Sequence, residues 1–264
     1  MNQRIISVVN QKGGVGKTTT AVNLATALAA VRKKILIIDL DPQGNATTSV
    51  GLSHRGRNAS SYDVITGQAK LADSIVWTKI PNLSLVPASR DMLGIDQVLA
   101  GEPGNQFFLK KALSTGALDY DYVLIDCPPS VGLLTVNALV ASSAVITPVQ
   151  CEYLALEGVA DLVKTIESVK RTLNPALEIQ GIVMTMYDGR NRLSEMVVND
   201  IRNHFEKKVY DTLIPRSIKI SEAPSHGKPV LLYDLESRGA QAYISLAREF
   251  LNREKALVAR AANI

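Results

Sequence analysis

Hydrophobic positions in this chain fall into short, nearly continuous runs separated by longer segments of helical period. The runs are Ile5–Val9, Ile35–Leu40, Leu83–Val86, Tyr122–Ile125, Ala144–Val149 and Ile179–Met186. A strand with one wet face alternates apolar and polar residues, whereas a strand covered on both faces does not. Runs of this kind therefore predict a mostly parallel, twisted sheet flanked by helices on both faces, an α/β fold. The intervening segments predict the covering helices: Thr18–Val31, Asp91–Leu99, Gln106–Ser114, Leu133–Ala141, Leu156–Leu173 and Leu193–Phe205. In the last of these Leu193, Met196, Val197, Ile201 and Phe205 fall on one stripe. Ser237 is placed to cap a final long helix through Leu251. The stretch Gly51–Asn82 has no clear period. No repeat, low-complexity tract or linker is visible, so one domain over 1–264 is expected, with 250–264 as a frayed tail.

Composition narrows the function classes. The chain has 264 residues, 46% hydrophobic and 20% charged, which suits a globular domain with a sizeable core. Two cysteines, Cys127 and Cys151, and three histidines, His54, His204 and His226, with no CxxC pair, argue against a disulfide scaffold and a Cys/His zinc site. The same scarcity argues against an iron–sulfur carrier. The amino terminus enters a strand at once and has no signal-peptide pattern, and no run of 18 apolar residues occurs, so cytoplasm is the default. A net charge of +4 and a pI near 9.0 permit a polyanionic partner without proving one.

Chemistry concentrates after the first run. Lys12-Gly13-Gly14-Val15-Gly16-Lys17-Thr18-Thr19 sits between a predicted strand and a predicted helix. Glycines allow a tight turn whose backbone N–H groups point into one concavity, and the following helix adds its positive end. Lys17 is suited to β- and γ-phosphates, and the Thr18 hydroxyl to Mg²⁺, so ATP and Mg²⁺ are the implied cofactors. One departure matters. The common loop begins with glycine where this chain has Gln11, and it carries an additional lysine, Lys12. A second cation is redundant for one nucleotide and makes more sense if Lys12 serves a phosphate across a subunit interface. Two further runs end in carboxylates, Asp39 with Asp41 and then Asp126. In a parallel sheet such strand ends face the ligand. Four apolar residues followed by Asp126 is the arrangement in which a carboxylate holds Mg²⁺ directly or through water.

From Lys12 to Thr18 the loop resembles the deviant Walker A motif of the ParA/MinD group of dimeric P-loop ATPases. The resemblance to the ParA (Soj-like) partition ATPases extends over nearly the whole chain. It is carried by Asp39-Leu40-Asp41-Pro42-Gln43-Gly44-Asn45, Asp126-Cys127-Pro128-Pro129-Ser130, Pro148 through Gly158, Ile214-Pro215-Arg216 and Ser221 through Pro229. The last block is more specific than the loop, and MinD-type relatives lack it. The resemblance implies that Lys12 reaches the partner subunit's nucleotide and that Asp41 orients the attacking water. It implies that Asp39 supports the Mg²⁺ shell and that adenine is met near Met186 and Pro215. It also implies an ATP-bound sandwich homodimer that binds non-specific double-stranded DNA on the nucleoid. Slow ATP hydrolysis would be stimulated by a ParB-type centromere-binding partner. The region that binds operator DNA in larger relatives is not expected here, because the loop begins at residue 12.

Between Arg190 and Lys228 eight Lys/Arg face five Asp/Glu, most of the chain's positive surplus. Such a patch reads phosphate charge rather than base sequence. The resemblance points to Arg190 and Lys219 as DNA contacts, and Arg216 is a third candidate. Lysine at 219 keeps the charge of the arginine common among relatives but loses its fork. The runner-up is a membrane-surface ATPase of the MinD kind, which needs a basic amphipathic C-terminal helix. The tail offers Arg253, Lys255 and Arg260 with Leu251, Leu257 and Val258, but it is alanine-rich and Phe250 is its one aromatic residue, so membrane binding is not expected.

Overall fold

The structure, a computed structural model, describes residues 3–53, 59–115 and 119–261. His54 and the last three residues lie outside that range, and the side chains of Val258 and Arg260 are likewise not described. Among the described residues seven strands form one sheet: β1 (Arg4–Val8), β2 (Ile35–Asp39), β3 (Val76–Trp77), β4 (Leu83–Val86), β5 (Tyr122–Asp126), β6 (Ala144–Gln150) and β7 (Glu178–Thr185). Their order is β3-β4-β2-β5-β1-β6-β7, parallel throughout except where the short edge strand β3 runs against β4. The helices are α1 (Lys17–Ala30), α2 (Asn45–Ser49), α3 (Ser61–Ile65), α4 (Ile95–Val98), α5 (Phe108–Ser114), α6 (Leu133–Ala141), α7 (Ala155–Thr172), α8 (Arg192–Phe205), α9 (Ile218–Glu222), α10 (Val230–Tyr233) and α11 (Arg238–Ala261).

The continuous apolar runs have the expected cause. Along β2, Ile35 and Ile37 join a core with Leu28 of α1 and Tyr243, Leu246 and Phe250 of α11. Their neighbours Leu36 and Ile38 join the opposite core with Leu109 of α5, Leu139 of α6 and Leu162 of α7. Both faces of the strand are dry, so period two in direction does not become period two in polarity. A third cluster packs α7 and α8 over the end of β6 and β7.

Several expectations change. Helix α8 forms, but its buried face is Ser194, Val197, Val198 and Ile201, and Leu193 and Met196 are exposed. Asn191 caps the helix by accepting from the Leu193 amide at 3.0 Å. That start turns the small residue Ser194 inward, where close packing favours it. The segment expected to be one helix from Asp91 splits at Gly94 into a 3₁₀ turn, Arg90–Gly94, and α4. Within 51–82, α3 carries a capping box from Ser60 and Asp63. Ser237 does cap α11, accepting from the Ala240 amide at 3.2 Å, and the helix runs to Ala261. Two of its candidate membrane-facing residues, Phe250 and Arg253, are committed to the fold, whereas Lys255 is exposed. Phe250 is buried edge-on to Tyr122, and Arg253 lies over the Tyr210 ring and donates to the Val209 carbonyl at 2.6 Å. No helix among the described residues is long and apolar enough to cross a membrane.

Candidate nucleotide site and basic surface

Strand register assembles the site. Val8 at the end of β1 and Asp39 at the end of β2 both pair in register with Asp126 at the end of β5. The glycine loop leaves β1 at the same edge, so loop and carboxylates converge although they are far apart in sequence. Gly14 and Gly16 adopt φ of 75° and 90°, which only glycine takes readily. Gly16 caps α1 with no side-chain hydrogen bond, and the first turn holds no acid, so the opening amides of α1 are left for an anion.

Lys17 is buried, and its ammonium donates to the Lys12 carbonyl at 2.9 Å. Burial lowers its pKa, opposed by the charges of Asp126 and Asp41. Asp126 is fully buried, and neither carboxylate oxygen has a hydrogen bond of good geometry. Burial pushes its pKa well up, and Asp39 and Asp41 push further, against relief from the Thr18 hydroxyl and Lys17. Asp39 is equally buried but fully engaged: it accepts from the Thr47 amide at 2.9 Å, the Thr47 hydroxyl at 2.7 Å and the Asp41 amide at 3.2 Å. Burial still raises it to about 6. Asp41 accepts from the Gln43 amide at 3.0 Å, ahead of Gly44, whose φ of 63° opens α2.

Among the described residues no group of three or more His, Cys, Asp or Glu side chains is placed to hold a metal ion. An orphaned buried carboxylate facing a threonine hydroxyl nevertheless fits a hard cation that brings most of its oxygen ligands with it, as Mg²⁺ bound to phosphates does. Cys127 is no competing nucleophile, since burial and Asp126 push its thiol pKa well up.

The remaining candidates fall into two places. Lys12, half exposed, forms an ion pair with Glu152. Its amide is held by the Asn10 side chain at 2.9 Å, which in turn donates to the Pro148 carbonyl at 2.7 Å. Beside Glu152, Tyr153 and Leu154 are exposed, and Leu154 has a left-handed φ of 67°. Met186 directly follows β7, and the bridge between Tyr187 and Pro215 sets Pro215 next to it. Thr185 donates to the Val15 carbonyl at 2.8 Å, so this platform abuts the loop. Arg190 and Arg216 share a corner, because the Arg216 amide donates to the Tyr187 carbonyl at 2.9 Å. Arg190 is bidentate on Asp188, and Lys219 pairs with Glu222 at 3.6 Å over the Tyr233 ring. Sequence reasoning did not single out Asn10, Thr47, Asp188 or Glu152 for these contacts. A polar residue at the end of an apolar run was the available signal for Asn10.

The family model described as AAA domain matches residues 3–179. The chain is 52% identical over 261 residues to the chromosome partitioning protein ParA of Caulobacter vibrioides, covering 98% of each chain. It is 47% identical over 246 residues to the sporulation initiation inhibitor protein Soj of Bacillus subtilis, covering 93% of this chain and 97% of the relative. Among solved structures, the Mycobacterium smegmatis protein described as cobyrinic acid a,c-diamide synthase, with bound ADP and magnesium, superposes with a TM-score of 0.84 at 36% identity over 96% of both chains.

Proposed function

This chain belongs to the ParA/Soj family of chromosome-partitioning P-loop ATPases, and from that premise we propose that it moves DNA by an ATP-gated cycle of dimerisation and non-specific DNA binding. The observation that carries this reading is the convergence, at the carboxyl ends of the strands, of a helix start with no side-chain cap, a buried lysine and a buried carboxylate with no well-formed hydrogen bond.

In this reading the backbone from Gly13 to Thr19 receives the phosphates, and Met186 and Pro215 flank the adenine. Lys17 exchanges the Lys12 carbonyl for β- and γ-phosphate oxygens. Thr18 and Asp126 hold Mg²⁺, and Asp39 acts one step removed by fixing Thr47 and the Asp41 amide. The cation supplies charge neutralisation on the phosphates. Asp41 orients the attacking water. Lys12 leaves Glu152 for the nucleotide of a second copy, and the exposed Tyr153 and Leu154 lie beside that contact. Arg190, Arg216 and Lys219 hold DNA phosphates on the nucleoid, and a ParB-type partner with DNA accelerates hydrolysis. A dimer doubles the phosphate contacts, which makes a weak single-chain surface bind only in the ATP state.

The test is binding to non-specific double-stranded DNA with ATP, with ADP and without nucleotide, at low and moderate salt, for the natural chain, Arg190→Glu and Lys219→Glu. Binding confined to ATP, weakened by salt and lost in both variants is expected. ATP-dependent dimers that ignore DNA would remove the DNA half of the proposal.

A further inference from the structure

The basic corner contains an acid that its charge count hides. Asp188 follows the end of β7 by three residues and is partly buried, whereas the Arg190 side chain is 91% exposed. Arg190 Nε and Nη2 donate to the two oxygens of Asp188 at 3.0 and 2.9 Å. This is the parallel two-bond edge by which a guanidinium grips a phosphate. One edge of one guanidinium cannot hold both acceptors at once. The Asp188 carboxyl is held well below its usual range by the Arg190 side-chain and backbone hydrogen bonds, with the nearby Arg216 charge adding to the effect. Asp188 therefore stays ionised wherever DNA binding is measured. The arrangement recurs at Lys219, whose partner Glu222 is itself anchored by the Tyr233 hydroxyl at 3.1 Å.

Building on the reading of Arg190 as a DNA contact, we infer that Asp188 is an intramolecular competitor for DNA phosphate at Arg190 and thereby sets the affinity of the basic corner. A phosphate must displace the carboxylate to take the Nε–Nη2 edge, and Asp188 cancels charge that Arg190 and Arg216 would otherwise present. The alternative is that Asp188 merely positions Arg190 for a phosphate on its other edge.

These two roles predict opposite signs. Asp188 also accepts from the Arg190 amide at 3.1 Å, a turn contact that asparagine can keep. Asp188→Asn therefore removes the charge and keeps the turn, and Asp188→Ser is a second variant of the same intent. Exposed pairs are weak, so the expected gain in DNA affinity is up to about fivefold per protomer, and up to about 25-fold where both protomers grip one duplex. The gain should shrink as salt rises past about 0.15 M, because the competing pair is itself screened.

The measurement is ATP-dependent binding to a short non-specific duplex across a salt series, for the natural chain, Asp188→Asn, Asp188→Ser, Arg190→Ala and Asp188→Asn with Arg190→Ala. Basal ATP hydrolysis and melting temperature serve as controls. Tighter binding in both Asp188 variants, abolished when Arg190 is also removed, supports competition. Unchanged or weaker binding in the Asp188 variants, with Arg190→Ala still defective, overturns it in favour of positioning. If Arg190→Ala binds as the natural chain does, the DNA reading of this corner fails first, and the competitor role falls with it.

Discussion

Replacing Asp126 by asparagine should stabilise the nucleotide-free protein while disabling it. Asp126 is fully buried, neither oxygen has a well-formed hydrogen bond beyond partial relief from the nearby Thr18 hydroxyl, and the nearest charges include two more carboxylates, Asp39 and Asp41. An unmade buried polar bond costs roughly 1–3 kcal/mol, and more for a charge. Lys17 offsets part of that here, and asparagine brings an amide that also wants partners. A net gain of about 1–2 kcal/mol is the resulting estimate, equal to a rise in Tm of about 2–8 °C for a chain of this size. The pH dependence fixes the sign. Burial raises the folded pKa of Asp126 well above its usual value of 3.8, so between those values the folded chain holds a proton that the unfolded chain has lost. Stability from this group is intact below the unfolded pKa and is lost as pH rises through the folded one. The advantage of Asp126→Asn should therefore be largest near pH 8 and close towards pH 4. Denaturant melts of both proteins at several pH values measure it. With ATP, added Mg²⁺ should stabilise the natural chain much more than the variant, and phosphate release should fall by at least about 10–100-fold. A variant less stable than the natural chain at pH 8, or a gap that does not widen with pH, would refute the orphaned-carboxylate argument.

Three further outcomes follow from other places. Gly181→Ala builds a Cβ 2.4 Å from the buried Tyr210 ring, so it should cost at least about 1–3 kcal/mol, read as a lower Tm. In Glu249, burial raises the pKa, but the amides of Asp211 and Thr212, the Thr212 hydroxyl and Arg253 outweigh it, leaving the group below its usual 4.5. Its stabilisation is thus present above that value and lost as pH falls through the lower folded pKa, so Glu249→Gln should be about 1 kcal/mol less stable at pH 7 and converge with the natural chain in acid. Lys12→Ala should keep ATP binding by titration and lose ATP-dependent dimers in sedimentation, and normal dimers would end the trans role of Lys12.

The sequence carried most of the sheet because both its faces are dry, which makes apolar runs continuous and conspicuous. It carried the loop and strand-end carboxylates because parallel register brings strand ends together wherever they lie in the chain. It did not carry the rotation of α8, since Leu193, Met196, Val197 and Ile201 fit a helical stripe as well as Ser194, Val197, Val198 and Ile201 do. What chose between them is the packing against α7, which no local pattern encodes. Charge counting failed in the same way at Arg190. It registers the cations of a segment but not that Asp188, just outside the counted window, already occupies the guanidinium edge.

Asp39 shows how the site reaches beyond itself. A buried carboxylate raised to about 6 is a poor place to store charge, yet its acceptors are spent largely on Thr47, in the middle of α2, rather than left open as those of Asp126 are. Thr47 also receives the Ala88 amide at 3.3 Å, tying β2, α2 and the segment after β4 together. At the far end of α2, Gly51 meets Gly227 so closely that a Cβ on Gly51 would lie 2.9 Å from the Gly227 carbonyl. Gly227 ends the turn that begins after Glu222, the partner of Lys219. Contact between two backbones leaves no side chain to absorb a displacement, and packed interfaces respond by shifting as units rather than by deforming. The line of contacts that starts where Asp39 holds Thr47 therefore reaches Gly227, eight residues after the candidate DNA contact Lys219. A continuous line of contacts thus runs from the end of β2 through α2 to the turn that follows Glu222 within a single chain.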